Sequence, residues 1–383
     1  MRKNKQNKSL YSIIMITMLS LFVFACGGSG GGSDGGGGEL GTSGNPFLVD
    51  SAETLQKILS EEDGLSLSAH YKQEVDIVLT DANWIPIGSS SKPFTGTYNG
   101  NNKKISKLKI DAPSSNNLGL FGYIGAGGTV KNLGLEEVEI NGGNNVGSVA
   151  GTSSGTVQNC YVAGDVKGRR QVGGVVGAND DGTVQNCYAI VDVGIYFNPG
   201  GGVVGFNSGT IKNCYATGNI YGSSIEFQDY PGYGDFLGGI VGSNDGTVEN
   251  CYATGSVIGT YNIGGVVGSN GGTVKNCIAL NSAVTIRTSY TYVGRVAGLL
   301  DSETSNNNYA RYDMGGSVIS FTVTTHNGKD GADLLPADYY DPSWWTGTAK
   351  WSFGESDVWN TPSGTTLPTL KNMLTGTQTP TVP

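Results

Sequence analysis

Between residues 118 and 315 the apolar positions fall in short runs rich in Val and Ile, each bounded by Gly, Asn, Asp or Ser. That is strand chemistry punctuated by turns, and no stretch there keeps the 3.6-residue periodicity of a helix. One phrase, Gly-Thr-Val-x-Asn-Cys-Tyr-Ala or a close variant, recurs around Cys160, Cys187, Cys214, Cys251 and Cys277, at intervals of 27, 27, 37 and 26 residues. A second phrase, Gly-Gly-Val-Val-Gly or a near variant, stands at 173–177, 201–205, 238–242 and 264–268, with divergent copies at 147–151 and 294–298. Leu133 and Asn308 take the Cys slot in an earlier and a later copy. A fixed period of this size means stacked units that bury their apolar faces only against their neighbours. Three short strands per coil fit the spacing, stacked at one ladder step of about 4.8 Å. The pattern predicts an all-β protein, a right-handed parallel β-helix, the hand following the general preference of parallel crossovers.

Within the phrase, Val and Cys are three apart, so strict strand alternation breaks between them. The intervening Asn (Asn132, Asn159, Asn186, Asn213, Asn250, Asn276) therefore marks a corner, where Asn tolerates left-handed backbone and its amide can bond the next Asn in a ladder. Cys and Ala share one face, assigned inward, which leaves Tyr161, Tyr188, Tyr215 and Tyr252 stacked outward; the spacing alone also allows the reverse. The repeat cysteines read as small apolar filler. Direct stacking on parallel strands is poor disulfide geometry, and a linear row does not converge on a metal as mixed ligands would.

The two ends differ from the repeat. Residues 41–117 read as an N-terminal cap and first coils. Asp50 with Glu53 resembles a capping box ahead of an amphipathic short helix carrying Ala52, Leu55, Ile58 and Leu59, a lid for an open solenoid end. Residues 316–383 gather Trp344, Trp345, Trp351, Trp359, Tyr339 and Tyr340. They are expected to form an irregular C-terminal cap over the last coil, with a sugar-stacking platform or membrane contact as alternatives. Residues 1–25 pair a basic start with an apolar run from Ile13 to Ala25, too short for a stable span. The run ends Val23-Phe24-Ala25-Cys26, which resembles a bacterial lipoprotein signal, with Cys26 the lipidated residue. The Gly-rich stretch through 26–40 then serves as a tether. Outer-membrane anchoring with exposure at the cell surface follows from that resemblance.

Composition narrows the function. Of 383 residues 63 are Gly, only 14% are charged and the formal net charge is −9, a poor match for nucleic acid. The series Trp84-Ile-Pro-Ile-Gly88, then 94–100 (Phe-Thr-Gly-Thr-Tyr-Asn-Gly), Gly119-Leu-Phe-Gly122 and the repeat at 118–315 resembles bacterial surface proteins with GLUG repeats. Such repeats occur in adhesin-like proteins and beside the catalytic domain of some immunoglobulin A peptidases. The resemblance implies surface placement and binding, and it carries over no binding residues. The peptidase motif His-Glu-x-x-His is absent, and no catalytic residue is assigned.

The weak catalytic candidates are Asp165 and Asp192, in equivalent positions on successive coils and so about 5 Å apart, a separation suited to a retaining glycosidase. Their slot continues as Asn219, Ser256 and Ser282, which favours a polar ladder over a lyase or hydrolase site. No metal or cofactor is assigned, although calcium could bind the turns at Asn179-Asp180-Asp181 and Asn244-Asp245. The stronger candidate is the longest interval, whose excess lies in 223–236. Its Phe227, Tyr230 and Tyr233, with Tyr196, Phe197, Tyr261, Tyr290 and Tyr292 on adjacent coils, would align as an aromatic ridge, with Arg169 and Arg170 at one end. The expected partners are a glycan or a host or partner surface protein, with a structural spacer as the remaining reading.

Overall fold

The computed structural model describes residues 39–80, 83–222, 236–287, 292–300, 305–316, 324–373 and 378–383. They form a parallel β-solenoid of about 10 turns. The stack reaches beyond the repeat on both sides. It begins with Phe47–Val49, which pairs in parallel with His70–Gln73, and ends with Ala332–Leu334 against Tyr309–Arg311.

The repeat phrases set the register. Thr129, Thr156, Thr183, Thr210, Thr247 and Thr273 lie side by side on successive turns, and Val130, Val157, Val184, Ile211, Val248 and Val274 follow them in step. Those apolar residues are buried, so a one-residue slip would turn a whole column out to solvent. The Gly-Gly-Val-Val-Gly phrase is a corner rather than a single strand. Arg170–Gly173 belongs to one sheet and Val176–Asn179 to another, so the consecutive Val175 and Val176 both point inward and are fully buried. In the four full copies the second Gly is fixed by close stacking. A Cβ on Gly202 would lie 2.2 Å from the carbonyl oxygen of Gly239, and one on Gly239 2.1 Å from that of Gly265.

The predicted Asn corners form. Asn132, Asn159, Asn186, Asn213, Asn250, Asn276 and Asn307 all adopt φ between 52° and 55°. Each Nδ2 donates to the Oδ1 of the Asn one turn earlier, from Asn132 to Asn99 (3.0 Å) through Asn307 to Asn276 (2.8 Å). A second ladder, not expected from the sequence, runs on another corner. Asn179, Asn207 and Asn244 each donate 2.7 Å to the Asn of the following turn, ending at Asn270. Each ladder amide also donates to a nearby Gly carbonyl, as Asn179 does to Gly182 at 3.1 Å. The two ladders donate in opposite directions along the stack.

Cys160, Cys187, Cys214, Cys251 and Cys277 face inward, fully buried and free. Each thiol donates to the carbonyl two residues earlier at 3.2–3.3 Å. Asn308 ends this column. It is fully buried, donates to the Val274 carbonyl at 2.9 Å and accepts from the Cys277 backbone N–H at 2.9 Å.

At the N-terminal end a helix, α1 (Ala52–Ser60), packs Leu55 and Ile58 into the core. Its N-cap is Ser51 rather than Asp50: the Ser51 hydroxyl accepts from the Thr54 N–H at 3.1 Å. Glu53 does not close a capping box and instead pairs with Lys57 at 3.2 Å. Asp50 accepts from the Thr54 hydroxyl at 2.9 Å.

The C-terminal segment departs from the expected end cap. After Ala332–Leu334 the chain turns back along the flank of the solenoid, through α2 (Pro342–Gly347) and the antiparallel pair Trp359–Asn360 and Thr369–Leu370. There it covers the tyrosine column. Tyr161, Tyr188, Tyr215 and Tyr252 point away from the main core, with neighbouring rings 4.9–5.2 Å apart and within 10° of parallel. They are nevertheless buried, because they share a second apolar cluster with Trp345, Trp351 and Trp359. The Tyr252 hydroxyl donates to the Pro368 carbonyl at 2.8 Å, and Trp351 Nε1 donates to the Asn276 carbonyl at 3.0 Å. The three buried tryptophans are therefore not a free sugar platform. Their rings seal a flank whose outward Tyr column would otherwise be a large exposed apolar patch.

Candidate functional site

The exposed chemistry gathers at the corner formed by residues 196–199, which follows the strand Tyr188–Ile195. Tyr196 is half exposed. It walls a groove of about 360 Å³ with Lys109, Asp111, Glu139, Asn141, Asp165 and Lys167. Strand register brings these together. Glu139 pairs with Lys109 on one side and Asp165 on the other, and Asn141 lies opposite Asp111 and Lys167. Lys109 Nζ lies 2.9 Å from Glu139 Oε2, and Asn141 Nδ2 donates to Asp111 at 2.9 Å.

Asp165 and Asp192 are register partners on adjacent strands, but they are not equivalent. The Asp192 carboxylate accepts from the Asn219 N–H at 2.8 Å and from its Nδ2 at 3.3 Å. The column continues by hydrogen bonding, the Ser256 N–H donating to Asn219 Oδ1 at 3.0 Å and the Ser256 and Ser282 hydroxyls meeting at 2.8 Å. Asp192 thus belongs to the polar ladder, whereas Asp165 opens into the Tyr196 groove.

On the other side of the corner, Phe197 lies beneath two guanidiniums, Arg169 at 4.8 Å and Arg170 at 5.7 Å from its ring centre. Beyond them is a cleft of about 470 Å³ lined by Asn116, Asn117, Asn144, Asn145, Arg170, Gln171, Asn198 and Pro199. Further along the edge stand Phe236, Tyr261 and Tyr292, with ring centres 6.3 and 5.5 Å apart in turn. Tyr292 is 44% exposed. Among the described residues the ridge members fall into two groups: Tyr196 and Phe197 diverge to opposite sides of their corner, and Tyr261 stands with Tyr292. Phe227, Tyr230, Tyr233 and Tyr290 lie outside the described residues, as does Cys26.

The candidate calcium turns are built differently from a metal site. Asn179 and Asn244 are fully buried and spend their amides on the second Asn ladder. Burial, and then the charge of Asp181, pushes the Asp180 carboxyl above its ordinary value. Among the described residues no three His, Cys, Asp or Glu side chains converge as metal ligands. Sequence reasoning missed the amide cleft because its Asn residues precede the regular phrase; their only signal is the pair Asn116-Asn117 recurring as Asn144-Asn145.

Fold and edge together define a parallel β-solenoid whose corners carry exposed aromatic and charged side chains. The family model described as the GLUG motif matches residues 168–194, 200–221 and 237–258, within the central coils. Over 150 residues, 36% of this chain, the protein is 39% identical to Halomucin of Haloquadratum walsbyi. Over 171 residues, 42% of the chain, it is 29% identical to a protein described as a Gly-rich membrane protein of Evansella cellulosilytica. The matches span 2% and 19% of those relatives' lengths. A crystal structure described as an immunoglobulin A1 protease from Bacteroides ovatus superposes with a TM-score of 0.53 at 17% identity, over 86% of this chain and 94% of that one. At that identity the likeness concerns the fold.

Proposed function

We propose that this protein is a non-catalytic, lipid-anchored cell-surface adhesion module that binds glycans through the corner at Tyr196. The observation that carries this reading is the half-exposed Tyr196 ring beside free and paired polar groups of Asp165, Lys167, Glu139 and Asp111. An exposed aromatic face suits the C–H face of a sugar ring, and flanking carboxylates and ammoniums suit its hydroxyls. Anchoring at Cys26 on the outer membrane rests on the lipoprotein-like start, and the Evansella relative's description as a membrane protein accords with surface placement.

The test is a glycan and host-protein array probed with residues 39–383, with and without calcium. A discrete glycan hit weakened by Tyr196→Ala is the expected outcome. A hit on a protein alone, or a glycan hit that Tyr196→Ala leaves unchanged, would count against this corner. The enzymatic alternative predicts cleavage of a bound polysaccharide that is lost in the Asp165→Asn, Asp192→Asn double variant.

A further inference from the structure

From the cleft beside Arg170 we infer a subsite for a carboxylate-bearing sugar residue, an inference that refines the glycan-binding reading above. The regular corners consume their own amides: each Asn donates to the Asn of an adjacent turn in an unbroken ladder. On this edge the ladder is cut short. Asn145 donates to Asn117 at 2.9 Å, but the next position is Gln171, which takes no hydrogen bond from its neighbours, and then Pro199. Asn117, Asn145 and Gln171 all hold left-handed backbone, with φ of 57°, 56° and 51°. That conformation is costly for Gln. The amide of Gln171 and the Nδ2 groups of Asn116 and Asn144 are left without partners among the described residues, and Asn144 Oδ1 is buried with none. The cleft they line, about 470 Å³, is larger than a lone anion fills.

Charge supplies the class of ligand. In a protein of net charge −9, Arg169 and Arg170 stand exposed with no carboxylate within ion-pair distance among the described residues. The Phe197 face holds both guanidiniums in place, so little freedom is lost when they bind. A planar guanidinium fork matches a carboxylate, and free amides match vicinal hydroxyls. A peptide strand fits poorly, because the backbone here is already paired: Asn117 donates to Asn144 at 2.9 Å and Leu118 to Asn145 at 3.0 Å, leaving no open ladder to extend.

The full-length protein would be titrated with tetragalacturonate, a neutral galactose tetramer and poly-glutamate, and the variants Arg169→Gln, Arg170→Gln and Asn144→Asp compared. The expected result is selective binding of the uronate, weakened about tenfold by each arginine change and further by raised salt. Asn144→Asp keeps the shape of the side chain and sets a like charge in the cleft, so it should weaken the uronate more than the neutral sugar. Circular dichroism should be unchanged in both arginine variants, since these side chains are exposed. Equal affinity for the neutral tetramer, an arginine-independent uronate affinity, or tighter binding of poly-glutamate would overturn the subsite. If the neutral sugar binds and Tyr196→Ala weakens it, the glycan-binding reading survives without the subsite. If no sugar binds, both fall.

Discussion

At the residue scale, the corner Asn does two jobs that can be separated. Asn186 holds φ of 53°, donates to Asn159 Oδ1 and accepts from Asn213 Nδ2, each at 3.1 Å. Asn186→Ala loses the ladder and strains the backbone, for about 2 kcal/mol. Asn186→Gly keeps the backbone and loses only the ladder, for about 1 kcal/mol. Denaturant midpoints of the two variants check this order; equal losses would mean that the backbone conformation carries no cost. The thiol column makes a second expectation. All five repeat thiols are fully buried and so shielded from reagents, and burial also pushes Cys160, Cys187 and Cys251 upward from the ordinary thiol range. In residues 39–383 the five repeat cysteines should resist an aromatic disulfide reagent until denaturant is added. This much was legible in sequence, because an odd gap between Val and Cys cannot be a continuous strand. The second ladder was not: Asn179 and Asn244 sit among Gly, Asp and Ser, where turn formation alone accounts for an Asn.

At the scale of elements, the C-terminal segment is a clasp on the flank. Its attachment is partly electrostatic. Arg311 bonds Asp313 at 2.9 Å and also donates to the Pro383 carbonyl at 3.0 Å. The Arg311 guanidinium, helped by the Tyr339 hydroxyl, holds the Asp313 carboxyl below its ordinary value. A carboxyl lowered in the folded state adds stability above its unfolded value and loses it as pH falls through the lowered one. The clasp should therefore loosen as pH falls below the ordinary carboxylate range, seen as a change in tryptophan emission. Asp313→Asn should weaken the clasp at neutral pH and flatten that acid limb. Tyr252→Phe, which strands the Pro368 carbonyl, should cost about 1 kcal/mol. That the Tyr column lies opposite the Cys and Ala face could be read from their two-residue spacing, but which of the two faces points inward could not. That Trp351 and Trp359 would cover it could not, since no periodicity links segments some hundred residues apart. The same separation hid the Tyr196 groove, which joins residues from turns that begin before the regular phrase.

At the scale of the whole molecule, the solenoid is finished by a buried charge. Arg295, 2% exposed, replaces the second Gly of its phrase. It donates to the carbonyls of Asp330, Gly331 and Arg311 at 3.1–3.2 Å and meets Asp333 at 2.7 Å. Arg295→Met leaves those acceptors unpaired and should cost about 3 kcal/mol, with Ala332–Leu334 exchanging its amide protons first. The turns above it are nearly interchangeable. Gly200 pairs with Leu237 and Ile220 with Val257, so the longest interval leaves the register on both sides intact. An added or missing whole turn would do the same, because each turn needs only a like neighbour. Recombination that adds or removes one whole coding repeat would therefore yield proteins with different numbers of turns, each still folded.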